Sequence, residues 1–433
     1  MKPTSSPFQL ILLGTFGALA VAGVLVFALA VSKSTGQQIG SVTIWGTLDQ
    51  SAWSAVLRQI AEENAALSQV TYEQKDPVTY RKELTDALAS GKGPDLFIMM
   101  GDSVVFDAGK AFPIPYEIIS RDIYTNLFID ATNVYMTADG VLAVPILVDP
   151  LVLYWNRDLM AAAGLATPPK FWYEVPVMSQ KMTRKDDAGV ISKSGIAFGE
   201  YRNVGNAKDV VSLLILQAGG QITARDSQGN LVPALSSRVG GSSESAESAL
   251  DFFTQFADPA KDIYAWNRSL LDAQDAFAAG DVGLYVGFAS EKAIIARKNP
   301  NLNFAVSPVP QLSAQGPALT VARTYGLATS RTGARPNVAA SVAYTLSDPG
   351  PAAALSLALG LPSARRDILR VPATSTYAMV NSQAILARSW IDPDPQGTAD
   401  AFRAMIEDTV SGAVTVSEGV QRADQQIGKL IGL

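Results

Sequence analysis

The 433-residue chain contains no cysteine and no histidine. The first absence excludes disulfides, thiol nucleophiles and lipid attachment at a cysteine. The two together exclude Cys/His zinc sites and the Ser-His and Cys-His catalytic pairs. What remains is carboxylate, Lys or Tyr acid-base chemistry, oxygen-ligated Ca²⁺ or Mg²⁺, or no covalent chemistry at all. Charge is sparse as well: 34 Lys and Arg against 40 Asp and Glu leave a net charge of −6. A chain of this sign lacks the attraction to phosphate backbones that drives most nucleic-acid binding, so nucleic acid is excluded as a partner. Carboxylates such as Asp186, Asp187 and Asp226 stand in polar stretches and read as solvated surface charges, so neither metal nor cofactor is expected.

The longest stretch without charge is at the N-terminus. Phe8 to Val31 is 24 residues, fourteen of them Leu, Ile, Val or Phe. As a helix rising about 1.5 Å per residue, it is long enough to cross a hydrocarbon core of about 30 Å. Ala28 and Ala30 form a small-x-small pattern that a signal peptidase reads, but removed signals have apolar regions of only about 7 to 15 residues. The favoured expectation is therefore a retained membrane anchor over residues 1–39, including a polar spacer, with a signal segment cleaved after Ala30 as the alternative. The remaining residues, 48% hydrophobic overall, are too many for one core and suit two lobes.

Beyond the spacer, strands alternate with helices. Ser41 to Trp45 is rich in β-branched and aromatic residues, and Trp53, Val56, Leu57 and Ile60 then recur at helical spacing behind the N-cap candidates Asp49 and Ser51. A strand near Val70–Glu73, a helix carrying Tyr80, Leu84 and Leu88, and a strand at Leu96–Met100 follow. This order predicts a parallel sheet with crossover helices, whose ligands bind beyond the carboxyl ends of the strands. Trp45, Asp49 and Asp102 stand at such ends. Further on, Pro145 and Pro150 bracket an extended segment suited to crossing between lobes, and Thr223 to Ser243 reads as a surface hairpin or loop. Strands are expected at Val282–Val286, Phe304–Pro310 and Tyr325–Thr329. From Pro336 onward the chain is mostly helical, broken at Asp348-Pro349-Gly350, Leu361-Pro362 and Pro393-Asp394-Pro395.

Several phrases occur in a telling order: Val42-Thr43-Ile44-Trp45; Ala89-Ser90-Gly91-Lys92-Gly93-Pro94-Asp95; Val144-Pro145-Ile146 leading to Leu153-Tyr154-Trp155-Asn156-Arg157-Asp158; Gly164-Leu165 with Pro168-Pro169-Lys170-Phe171-Trp172; Ala276-Phe277-Ala278-Ala279-Gly280-Asp281-Val282-Gly283-Leu284; and Gly360-Leu361-Pro362-Ser363. Together they resemble the extracellular solute-binding proteins of ABC importers, specifically the sugar-binding group similar to maltose-binding protein. Phe171 stands where that family usually has Thr, and the family's usual lipid-attachment cysteine is missing.

The resemblance implies an α/β, periplasmic-binding-protein-like fold: two α/β lobes joined at a hinge, with a ligand cleft between them, here preceded by one N-terminal transmembrane helix. One lobe would take residues 40–147 and 303–346, the other 150–300 and 349–433. It also implies an extracytoplasmic, monomeric receptor that binds a sugar or similar small solute and delivers it to membrane permease subunits. By position, the implied ligand-binding residues are Trp45, Asp49, Asp102, Asp149, Glu200, Tyr201 and Phe288, with Trp266 and Tyr325 as looser candidates. No catalytic residue is implied. Two other readings stand beside this one: a membrane-anchored sensory or scaffolding receptor without transport, and a glycoside hydrolase built from two of Asp49, Asp102, Asp149 and Glu200.

Overall fold

The computed structural model describes residues 40–237, 242–370 and 376–432. The expected anchor, Phe8 to Val31, lies outside them. Among the described residues no helix is long and apolar enough to cross a membrane.

The first elements alternate: β1 (Val42–Gly46), α1 (Gln50–Glu63), β2 (Val70–Gln74), α2 (Tyr80–Ala89) and β3 (Leu96–Met100). Helix α1 starts where Asp49 accepts a hydrogen bond from the Ala52 N–H, and it buries the predicted face of Trp53, Val56, Leu57 and Ile60. Trp53 stacks on Tyr72 of β2, with ring centroids 4.8 Å apart. Strand β1 runs parallel to both β2 and β3, so the loops after β1 and β3 emerge from the same edge.

Two long strands organise the rest: β4 (Val144–Asn156) and, after β5 (Ile191–Ile196), α3 (Ala207–Gln217), β6 (Val282–Phe288), α4 (Glu291–Lys298) and β7 (Phe304–Ser307), strand β8 (Thr320–Thr329). Spatial order along the main sheet is β2-β1-β3-β8-β4-β6-β5. The first half of β4 pairs antiparallel with β8, and its second half with β6 and β7. Its prolines fall where the ladder changes. Pro145 sits at the register shift beside Tyr325 and Gly326, and Pro150 is the last residue paired with β8 before Leu151 takes up β6. A residue with no N–H to donate is tolerated within a sheet at such discontinuities.

The same boundary divides the interior. Residues through Val148 on β4 belong to one hydrophobic core and those from Leu151 onward to a second; on β8 the change falls between Val321 and Ala322. The described chain then continues mostly as helix, chiefly α5 (Pro336–Leu346), α6 (Pro349–Leu359), α7 (Thr376–Leu386), α8 (Pro395–Val410) and α9 (Val416–Ile431). The expected division placed all of 349–433 in the second lobe. Instead Leu355, Leu361, Ala364, Leu369, Ala384 and Ala387 pack in the first core, whereas Phe402, Met405, Ile406, Val420 and Ile427 pack in the second. The Asp348-Pro349 break only starts a new helix, with Pro at its first turn. The change of lobe comes just before the Pro393-Asp394-Pro395 break, because proline marks where helices begin without saying which core they face.

Strand β8 also begins five residues earlier than its Tyr325 start in the sequence reading. Thr320 to Thr324 carries Ala and Arg, poor strand formers on their own, and pairing with β4 holds them extended. This early portion meets the loop after β3 closely: a Cβ on Gly101 would overlap Oγ1 of Thr324, a buried hydroxyl bonded to the Tyr135 hydroxyl at 3.1 Å. Gly101→Ala is therefore expected to destabilise the protein by about 1–3 kcal/mol, the usual cost of overpacking. Adding Thr324→Ala removes the obstacle. Denaturant unfolding of both single variants and the double should show the pair costing less than the sum of the singles, and strict additivity would contradict the contact.

Candidate functional site

The loops after β1 and β3, the middle of β8 and the start of α3 converge where the two cores part. The loop after β3 supplies Met100, Gly101 and Asp102, β8 supplies Val321 to Thr324, and the second lobe adds Tyr201, Gly205, Lys208, Asp209, Trp390 and Asp392. Together these enclose a cavity of about 210 Å³. A larger one, of about 720 Å³, adjoins it and shares Met100 and Arg323. Its walls are Thr47, Leu48 and Asp49 after β1, Tyr325, the end of α6 and the following Gly360-Leu361-Pro362, Tyr377 and Val380 of α7, and Ala289 to Ala296 around α4.

Arg323 stands at the junction. Its guanidinium lies 3.7 Å from the centroid of the Phe288 ring and 3.8 Å from an Asp209 carboxylate oxygen, and it donates no hydrogen bond to any described residue. Although burial alone would lower its pKa, Asp209, Tyr325, Asp149 and Asp102 outweigh that and raise it, so the group stays charged. Burial pushes the Asp209 carboxyl up, against the opposing pull of Arg323 and Lys208. Asp102 and Asp209 accept no side-chain hydrogen bond among the described residues. Lys208, by contrast, is committed: it bonds Asp392 and Thr398, each at 2.6 Å. Its ammonium also lies 5.3 Å from the Trp390 ring centroid.

Directly across the ladder from Arg323 is Asp149, only 1% exposed. Its Oδ1 accepts the Ser290 N–H at 3.0 Å, and Oδ2 has no partner among the described residues. Burial pushes this carboxyl up to about 6, partly opposed by the Ser290 bonds and the Arg323 charge. The Ser290 backbone is itself fixed by Glu291, a buried carboxylate that accepts bonds from Asn206, Gln274, Tyr285 and the Phe288 N–H.

The residues selected from sequence scatter around this junction. Asp102 and Tyr201 border the smaller cavity, Asp49 and Tyr325 the larger, and Asp149 lies in the crossing strand beneath. The other four border neither. Trp45 is half-buried, with Lys75 Nζ 3.7 Å over its ring. Glu200 is buried and ion-paired to Arg268 at 3.3 Å. Trp266 is a core side chain whose Nε1 donates to Asn203 at 3.0 Å. Phe288 is fully buried and reaches the site only through Arg323. Of the four carboxylates considered for a hydrolytic pair, no two line the same one of these cavities. Sequence reasoning did not single out Arg323, Lys208, Asp209, Trp390 or Asp392. The available signal for Arg323 was its standing as the one charge in Thr320–Thr329.

A carboxyl whose folded-state pKa is raised contributes stability that is fully present below its unfolded value and lost as pH rises through the folded one. For Asp149 the window runs from about 3.8 to about 6, worth about 3 kcal/mol. Asn at this position mimics the protonated form. Between pH 4 and 7.5 the native protein should therefore lose about 2–3 kcal/mol relative to Asp149→Asn, measured by denaturant unfolding. Parallel pH profiles would show that Asp149 is not buried as described.

Comparison with known proteins places this geometry in context. The family model for bacterial extracellular solute-binding proteins matches residues 50–349. Proteins named as binding proteins from Brucella abortus (strain 2308) and Brucella suis biovar 1 (strain 1330) are each 24% identical over 323 residues, covering 72% of this chain and 71% of theirs. Among solved structures, a cyclo/maltodextrin-binding protein complexed with maltotetraose superposes with a TM-score of 0.73 at 15% identity, over 91% of this chain and 97% of that one. The cyclic α-maltosyl-1,6-maltose binding protein from Arthrobacter globiformis gives 0.72 at 19% identity, covering 90% and 98%. A solute-binding protein from Thermotoga lettingae TMO bound with α-D-tagatose gives 0.67 at 19%, covering 91% and 100%. These likenesses establish the periplasmic-binding-protein-like α/β fold.

Proposed function

The chain belongs to the bacterial extracellular solute-binding proteins, and from that premise we propose that it is the extracytoplasmic receptor of an ABC importer, binding a carbohydrate or similar small polar solute between lobes that close on it. One observation carries this reading. Asp102 from the first lobe, Asp209 from the second and Arg323 from the crossing strand face one cavity, and none of the three forms a side-chain hydrogen bond with a described residue. Groups left this way on opposing walls are satisfied by a ligand that brings its own donors and acceptors, and each new bond then ties one lobe to the other.

Sugar chemistry suits the set. Hydroxyls pair with carboxylates and guanidinium, while the apolar ring faces suit the aromatic walls offered by Tyr201 and Trp390. Solved relatives of the fold have maltotetraose, tagatose and mannotriose bound. The reaction is binding and closure, with no covalent step. The apolar run Phe8–Val31 is the segment that would hold the receptor beside its permease in place of a lipid.

The test is thermal unfolding of the full chain, held in lipid nanodiscs, against a panel of mono-, di- and trisaccharides. A ligand at 100 times its Kd should add about 2.7 kcal/mol of stability. Tyr201→Ala and Asp102→Asn should each weaken a hit at least about tenfold, or about 1.4 kcal/mol. A broad panel giving neither a melting shift nor calorimetric heat would sink the sugar reading.

A further inference from the structure

The two adjoining cavities differ in chemistry. The smaller carries Asp102, Lys208, Asp209 and Asp392 in addition to Arg323, whereas most of the larger one's wall is apolar, with Leu48, Met100, Leu361 and Pro362 facing Ala293 and Ala296 across the cleft. Two of its polar groups are engaged, Asp49 capping α1 and the Ser290 N–H bonded to Asp149, while Arg323, Lys292, Tyr325 and Tyr377 add polar side chains to a wall that is otherwise mostly apolar. A sugar ring seated against the apolar part of that wall would surrender water from its hydroxyls without a partner for every one. An apolar group has the opposite balance, because every Å² it removes from water is favourable. At about 720 Å³ the space is within the usual range for a small-molecule site.

We infer that the solute is amphipathic: a glycoside whose sugar occupies the charged cavity and whose apolar aglycone, an aryl or short alkyl group, extends past Arg323 and Met100 into the larger one. This rests on the receptor reading above and specifies its ligand. Met100 and Arg323 line both cavities, and together they form the passage between the two parts of the solute. Held 3.7 Å over the Phe288 ring, the Arg323 guanidinium keeps its N–H donors for the sugar. Leu361 and Pro362 on one wall and α4 on the other then sandwich the aglycone, so that the apolar arm, like the sugar, is gripped by both lobes.

Matched pairs of methyl and p-nitrophenyl glycosides of glucose, galactose, mannose and maltose test this by titration calorimetry on the full chain in nanodiscs. For the sugar that binds, the aryl member should bind at least about tenfold tighter, about 1.4 kcal/mol. Ala293→Phe, at an exposed position on α4 whose replacement narrows the larger cavity, should bring the aryl member's affinity down to that of its methyl partner. Equal affinities within a pair would overturn the amphipathic assignment while leaving the sugar receptor intact. An aryl preference insensitive to Ala293→Phe would overturn the placement of the arm. Failure of every pair to bind would overturn both this inference and the sugar reading on which it rests.

Discussion

The cleft depends on one constraint: two antiparallel strands, β4 and β8, pass from one hydrophobic core to the other at the same level, and at that level the facing residues are Asp149 and Arg323. A polar pair belongs there because this is the only part of either strand with no core to join. Two residues earlier or later on β4 the side chains are Leu147 and Leu151, both fully buried. The charges are each held by something besides the other. Asp149 takes the Ser290 N–H, and Arg323 rests on Phe288 and faces Asp209. Removing one charge would leave the other desolvated in the middle of the ladder, the expensive way to break a buried polar site.

Because Ser290 belongs to the short turn between β6 and α4, the crossing also positions a wall of the cleft. Glu291, with its four donors, fixes the same turn from the other side. The turn is thus bonded to the hinge strand at one residue and to the second lobe's interior at the next. Any rotation of the lobes about the β4–β8 crossing must carry α4 with it. The first lobe's contributions, Leu48, Asp102 and the Leu361-Pro362 corner, stay with the other core. Opposite walls of both cavities therefore belong to different cores, which is the arrangement that closure on a ligand requires.

Much of the architecture was legible because it is written locally. The Trp53-Val56-Leu57-Ile60 face, the Asp49 cap and the LFIMM strand each reveal themselves within a dozen residues, and their order implies a parallel sheet. The stretch Thr223 to Ser243, read as a surface hairpin or loop, holds the Thr223–Arg225 and Leu231–Pro233 hairpin. The site was far less legible. Asp49, Asp102 and Tyr201 were accessible because they follow strand ends or adjoin one. Arg323 was not, since Ala322 to Thr324 are strand by virtue of pairing with a segment about 170 residues earlier. Lys208, Asp209 and Asp392 likewise become neighbours only when Trp390 and Asp392 return across the lobes. Aromatic residues misled for a related reason: Trp266 and Phe288 have the composition of sugar-stacking groups, but burial is decided by long-range packing that no local window contains.

The absence of histidine gives the hinge carboxylate a particular weight. Without an imidazole, any charge change between about pH 5 and 8 must come from shifted groups, and Asp149, raised to about 6 by burial, lies in that interval. Its ionised form is held in place against its own solvation preference, with one oxygen unpartnered, between two prolines of a central strand. Burial opposes that ionised form, and the Ser290 bonds and the Arg323 charge offset it only in part. Sequences depart from local rules chiefly where function requires it. The departure here falls where the two cores meet, directly across the ladder from the guanidinium that borders both cavities. Asp209 is the largest of the negative influences on Arg323 and Asp149 a smaller one, so the crossing gathers several carboxylates around a guanidinium that is charged at any working pH.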